Sequence, residues 1–167
     1  MSAREVRFDE LNQAQCEAVL ARNYIGRLAF CAGVRVSIRP LHYVFDDGWI
    51  YGRTTAGEKL DTLSRNWWVG FEVDEVDGPF DWRSVIVHGG FYGLSPHVSE
   101  SERELYERAV SAIRKVTPTA FGEDDPVPER ALIFGIAVQE ISGRMAWTGD
   151  APPAITDEGP RTGMQGG

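Results

Sequence analysis

The feature that most constrains this chain is a hairpin signal, Asp46-Asp47-Gly48, set between two runs of strand-forming residues. Asp-Gly tolerates the positive φ angles that tight turns between antiparallel strands demand. The run before it, Arg35 to Phe45, carries β-branched Val36, Ile38 and Val44, and the run after it, Trp49 to Thr54, returns alongside. Pro40 lies inside the outgoing strand. Proline removes a ladder donor, so that strand belongs at a sheet edge or carries a bulge there. A second signal is Gly89-Gly90, which interrupts a strand running from Trp82 to Leu94. Paired glycines inside a strand mark a bulge or sharp bend, as barrels require. Hairpins and glycine-marked bends favour a closed or split barrel over a doubly wound parallel sheet.

The remaining pattern fits around such a barrel. Asn12 and Gln15 have capping-box spacing at the start of a helix that reaches Arg22, with Leu11 placed to staple its entry. Ile25 to Ala32 alternates as a strand. Thr55 and Glu58 form another capping box, opening a short helix that carries Leu60 and Leu63 and stops near Arg65-Asn66. Trp67 to Glu75 reads as a strand with Val69, Phe71 and Val73 on one face. Ser99 and Glu102 cap an amphipathic helix over Glu100 to Val116, with Leu105, Ala109, Ala112 and Ile113 inward. Thr117 to Arg130 is a loop with three prolines, and Ala131 to Ile141 is the last strand. The expected fold is α+β and mainly β: a six-stranded antiparallel split barrel with flanking helices, in one domain over residues 1–149. The Pro-, Gly- and polar-rich tail from residue 150 is expected to be disordered.

Charge and composition remove several function classes. A net charge of −8 over 167 residues argues against nucleic acid and against an anionic membrane surface as partners. It does not exclude a phosphate-bearing cofactor, because a few local cations and backbone amides can hold one phosphate. No apolar run approaches the ~20 residues of a membrane span, and the first ten residues carry Arg4, Glu5, Arg7, Asp9 and Glu10 rather than a signal segment. The expected location is therefore cytoplasmic. Cys16 and Cys31 have neither redox nor zinc spacing and read as two reduced core thiols. No metal site is expected. The chain has no HExxH, GxSxG, GxGxxG or Walker sequence, and His42, His88 and His97 are scattered.

The segment that can carry chemistry is Tyr51-Gly-Arg-Thr-Thr-Ala-Gly-Glu-Lys59. A strand ends in adjacent hydroxyls, Thr54 and Thr55, a glycine permits close backbone approach, and Lys59 follows one turn into a helix. Hydroxyls, free amides and an ammonium make a phosphate cradle. An ordinary capped helix with a solvated lysine has the same local pattern. The hairpin places Arg39 and Pro40 beside this segment. Arg39 offers a planar cation, and Pro40 leaves polar backbone groups free for a ligand. Trp82-Arg-Ser84 is a third candidate, although Trp82 also fits as core filler.

In order, these elements resemble the pyridoxamine 5′-phosphate oxidase-like FMN-binding split-barrel superfamily. The nearest branch is that of the flavin-nucleotide-binding and nitroimidazole-resistance-like proteins. The resemblance spans about residues 13 to 147 and is carried by Gly-Arg-Leu-Ala from Gly26, Arg-Pro-Leu-His-Tyr from Arg39 and the Thr54–Lys59 segment. Asn66, Val69-Gly-Phe-Glu-Val and Trp-Arg-Ser-Val-Ile-Val-His-Gly from Trp82 complete it. It implies a homodimer with two FMN sites between subunits and an oxidoreductase acting on a small molecule. It further implies that Arg39, Pro40, Leu41 and His42 line the isoalloxazine, and that Thr54, Thr55 and Lys59 hold the phosphate. Trp82 and Ser84 would meet the flavin, and Arg144 and Trp147 would come from the partner-contributed segment. The chain lacks the Arg-Leu-x-x-Arg element of the vitamin B6 oxidase, and Arg53, which the resemblance counts with the cofactor-binding residues, stands where nitroimidazole-reductase relatives often carry histidine. The implied alternatives on the same barrel are the deazaflavin F420, a non-catalytic flavin carrier, or haem with His42, His88 or His97 as axial ligand.

Overall fold

The computed structural model describes residues 4–57, 63 and 67–156. Its strands are β1 (Val6–Leu11), β2 (Ile25–Ala32), β3 (Arg35–His42), β4 (Val44–Asp46), β5 (Trp49–Thr54), β6 (Trp68–Gly78), β7 (Asp81–Leu94) and β8 (Leu132–Thr148). Among the described residues the helices whose bounds are defined are α1 (Gln13–Arg22) and α2 (Glu100–Val116). All strand pairs are antiparallel, in the order β3-β2-β6-β7-β8-β5-β4, with β1 against the far half of β8. The mainly antiparallel α+β fold agrees with the sequence expectation, with eight strands in place of six.

The two extra strands have separate causes. Tyr43 splits the expected Arg35–Phe45 strand into β3 and β4. Its amide donates to the Tyr24 carbonyl at 2.9 Å, and its hydroxyl donates to the Leu20 carbonyl at 2.7 Å. Its ring meets Phe71 edge-on with centroids 5.1 Å apart. β1 carries Arg7, Asp9 and Glu10 and shows little apolar alternation; it is a strand because residues 143–148 of β8 supply a ladder for it. That same stretch of β8 extends the last strand beyond the expected end at Ile141.

Sheet order and chain order together force closure. β3 and β4 stand at opposite ends of a seven-strand path. Six inter-strand steps of ~4.8 Å would separate the ends of a flat sheet by about 29 Å. Tyr43 alone joins His42 to Val44, and that link spans no more than about 7 Å. The sheet therefore curls until its ends meet. Leu28, Ile50, Phe71, Val73, Val85, Val87, Phe134 and Ile136 fill the interior. A second cluster, with Leu94, Ala109, Ala112, Ile113, Ala120 and Ile133, seats α2 on the outside near β5.

Local signals act as their residue types dictate. Asp47 and Gly48 both take positive φ, 45° and 77°, as a tight hairpin turn needs. Pro40 lies opposite Arg27 in β3, the end strand of the path. The ladder between β7 and β8 shifts register between His88 and Gly89, where any side chain on Gly89 would collide with the Ala137 carbonyl oxygen. Asn12 and Gln15 satisfy one another's backbone amides at 2.9 Å in a complete capping box. Ser99 caps α2, while the Glu102 carboxylate accepts from the Ser95 amide at 3.1 Å.

Two expectations are corrected. Cys16 is buried as a core thiol, but Cys31 is exposed, because its position on β2 faces away from the barrel interior. Contact with the body does not end at residue 149: Ile155 packs against the main core, and the Thr156 carbonyl accepts from Arg22 Nη1 at 3.1 Å. Glu58, Leu60, Arg65 and Asn66, and the tail from residue 157, lie outside the described residues.

Candidate functional site

The residues singled out from sequence fall into three places. The first is the edge of β3. Arg39 and Pro40 are exposed, Leu41 is buried in the core and His42 is exposed at the strand's end. β3 pairs only with β2 among the described strands, so its other edge presents unpaired backbone groups. The His42 ring lies parallel to that of Tyr24, within 6°, with centroids 6.3 Å apart.

The second place is the end of β5. Thr54 is buried, its hydroxyl donating to the Thr55 carbonyl at 3.3 Å. Thr55 is exposed, and a Cβ built on Gly57 would meet nothing within 4 Å. Lys59 lies outside the described residues. Arg53 sits apart in function from its neighbours. Its guanidinium donates to both Asp125 carboxylate oxygens, at 3.0 and 2.5 Å, and to the Arg130 carbonyl at 2.9 Å. It also lies 4.2 Å over the Phe121 ring. Asp125 accepts further from the Phe121 and Val127 amides. These bonds, that of Arg53 foremost, hold the Asp125 carboxyl far below the usual carboxylate range. Arg53 is thus a clamp on the 117–130 loop, and its donors are occupied.

The third place is the outer face near the far end of β8. Ser84 stands opposite Asp74 on β6 and Arg144 on β8. Its hydroxyl donates to Glu72 at 3.2 Å, while Arg27 reaches Glu72 at 3.3 Å and Asp74 at 3.0 Å. Burial, then the charge of Asp74, raises the Glu72 carboxyl above its ordinary value. Arg144 is exposed. Trp82 packs against Phe8, centroids 6.3 Å apart. Trp147 is buried, its indole N–H donating to Asp9 at 2.6 Å, which binds β1 to the body.

The first and third places are linked within one chain, since Arg27 stands opposite Pro40 and reaches the Glu72 that accepts from Ser84; the second and third are set apart along β8. Thr54 pairs with Leu132 and Ser84 with Arg144, twelve residues apart along β8. That is about 40 Å of strand contour at ~3.3 Å per residue.

Sequence reading missed a cavity of about 370 Å³ between β3, β5, the end of α2 and the loop 126–130. Tyr24, His42, Tyr51, Arg53, Thr117 and Arg130 are among its lining residues. Arg53 and Asp125 are 72 positions apart, and no local spacing signals such a pairing. Among the described residues no group of three or more His, Cys, Asp or Glu side chains could hold a metal ion, and no helix is long and apolar enough to cross a membrane.

An antiparallel barrel with exposed cation-bearing edges and a hydroxyl-rich strand end defines a split-barrel protein of the pyridoxamine 5′-phosphate oxidase-like class. The family described as pyridoxamine 5′-phosphate oxidase matches residues 12–145, and the chain belongs to that family. The uncharacterized protein RA0666 of Rhizobium meliloti (strain 1021) is 25% identical over 146 residues, covering 84% of this chain and 96% of that one. A crystal structure of a FAD-binding protein from Mesorhizobium loti is 27% identical with a TM-score of 0.65, covering 82% of this chain and 96% of that one. A FAD and haem binding protein from Mycobacterium smegmatis shares the fold at 15% identity and a TM-score of 0.62, covering 85% of this chain and 76% of that one.

Proposed function

We propose that this protein is a flavin-nucleotide-binding oxidoreductase that works as a homodimer, with FMN held between two subunits and a small molecule as substrate. The observation that carries the reading is the division of the candidate residues. Thr54 at the end of β5 and Ser84 opposite Arg144 stand twelve residues apart along β8, about 40 Å of strand contour, while the β3 edge lies across β2 and β6 from Ser84, with Arg27 opposite Pro40 and reaching Glu72. A two-fold partner can place its own far end against the near end of the first chain, giving two equivalent sites.

The residues present suit the group. Thr55 is exposed beside the open space at Gly57, and Lys59 follows in sequence, so hydroxyl, amide and ammonium can meet a phosphate. The edge of β3 that no described strand pairs offers backbone donors and acceptors to a flat heterocycle, with Arg39 near them as an exposed cation that no described residue engages. The bound flavin supplies the hydride and electron transfer. The chain's own part is to bind the phosphate, to present N–H and C=O groups to the ring, and to keep water from one face. Arg53 contributes by fixing the loop beside the strand end. The relative described as FAD-binding, at 27% identity, supports a flavin nucleotide and keeps FAD as the second reading.

The test is chromophore identity. Protein purified from a flavin-replete host, or reconstituted with FMN, FAD and riboflavin in turn, should show a flavin spectrum, bind near one flavin per subunit and prefer a nucleotide over riboflavin. Mass analysis of the released chromophore separates FMN from FAD. Absence of saturable flavin binding, or a monomer by light scattering at micromolar concentration, would refute the proposal.

A further inference from the structure

The cavity beside Tyr24 and His42 is lined by neither Thr54 nor Thr55. Its volume of about 370 Å³ equals about a dozen waters at ~30 Å³ each, room for a molecule of one or two rings. Two of its lining rings, Tyr24 and His42, stack with their planes within 6° of parallel and centroids 6.3 Å apart. Tyr43, Val44, Ile113 and Val116 make much of the remainder apolar. A lining of aromatic rings and aliphatic side chains favours an aromatic ring over a flexible chain.

Charge selects further. Among the described residues the charge-bearing groups that line the cavity are His42, Arg53 and Arg130, with no carboxylate beside them. Arg53 is neutralised by Asp125. Among the described residues no hydrogen bond or ion pair engages the half-buried Arg130 guanidinium. The end of α2 brings a partial negative charge to the same space, but Arg114 and Lys115 in its last turn offset it. A lone guanidinium beside an aromatic wall is completed by an anionic group, which it can hold with two hydrogen bonds.

We infer that this cavity binds a planar one- or two-ring carboxylate, its ring against Tyr24 and His42 and its carboxylate on Arg130. The inference goes beyond the flavin reading, and its cavity adjoins the end of β3 that the flavin reading uses, sharing His42 with it.

The test titrates the full chain with benzoate and naphthalene-2-carboxylate, and with the corresponding neutral amides, by calorimetry with and without FMN. At least one carboxylate should bind saturably and about tenfold or more tighter than its amide. Arg130→Gln should lower carboxylate affinity about ten- to a hundredfold, as for loss of a charge-assisted hydrogen bond, and leave amide and FMN binding unchanged. Arg130→Lys should restore part of the loss. Val116→Trp, on the exposed end of α2, should fill the space and weaken carboxylate and amide together. The inference is overturned if neither carboxylate binds saturably, or if Arg130→Gln binds them as the native chain does. Failure of FMN binding with the carboxylate results intact would refute the flavin reading alone.

Discussion

Asp125 accepts four hydrogen bonds, two of them from one buried guanidinium, and its carboxyl is held ionised by them. Its folded-state pKa lies below the ordinary 3.8. The clamp therefore contributes its full stability above that value and loses it as pH falls through the folded-state pKa. Asp125→Asn should be less stable than the native chain at neutral pH, because Arg53 keeps its charge in a buried place without its partner. The difference in urea midpoint should shrink as pH is lowered below about 4; a constant difference would show that the pair contributes nothing through charge. Lys59 is the other residue with a sharp expectation, resting on sequence. Lys59→Ala should reduce FMN affinity about ten- to a hundredfold and leave riboflavin affinity nearly unchanged, because an ammonium on the phosphate has no riboflavin counterpart. Equal losses for both flavins in parallel titrations would mean the lysine acts through the fold.

At the scale of elements, β8 organises the molecule. Its first residues pair with β5 and its last with β1, and β7 runs beside it throughout. The bulge opposite Gly89 lets so long a strand bend around the core. The chain then returns beneath α1, where Arg22 makes a bidentate pair with buried Glu75 at 2.6 Å and donates to the Thr156 carbonyl. Ending the chain after Asp150 removes that acceptor and the apolar contact of Ile155. Thermal or urea unfolding of the truncated chain should show a loss of about 1–3 kcal/mol, from partial exposure of one aliphatic contact and loss of one charge-assisted hydrogen bond. Unchanged stability would mean these contacts are replaced by water without cost.

For the whole molecule, a site shared between subunits predicts complementation. Lys59→Ala damages one half of each proposed site and Arg144→Ala the other. Each variant alone should bind flavin weakly. After unfolding and refolding together in equal amounts, half the dimers are mixed and each mixed dimer holds one site with both halves intact. About a quarter of all sites should regain native affinity, read as flavin bound in a stoichiometric titration. No recovery, with mixed dimers shown to form, would place both residues in one subunit's site or outside it.

The chain's punctuation fixed much of this by itself. Asp47-Gly48, Pro40 and Gly89 have few permitted conformations, and each takes the turn, edge or bulge that its backbone chemistry requires. The capping box at Asn12 and the apolar alternation of β6 were equally legible, because such signals act over a few residues. The tertiary structure alone decided the rest. β1 exists because β8 passes beside it, and Tyr43 divides a strand because the sheet's two ends meet there. Arg53, one of the cofactor-binding candidates, is turned to Asp125 from far along the chain. Cys31 faces solvent because its strand register, not its hydrophobicity, sets its side. The cavity at Arg130 has walls from five separate segments. Pairings of that kind follow from how distant segments compete for the same buried space, and local spacing carries no record of that competition.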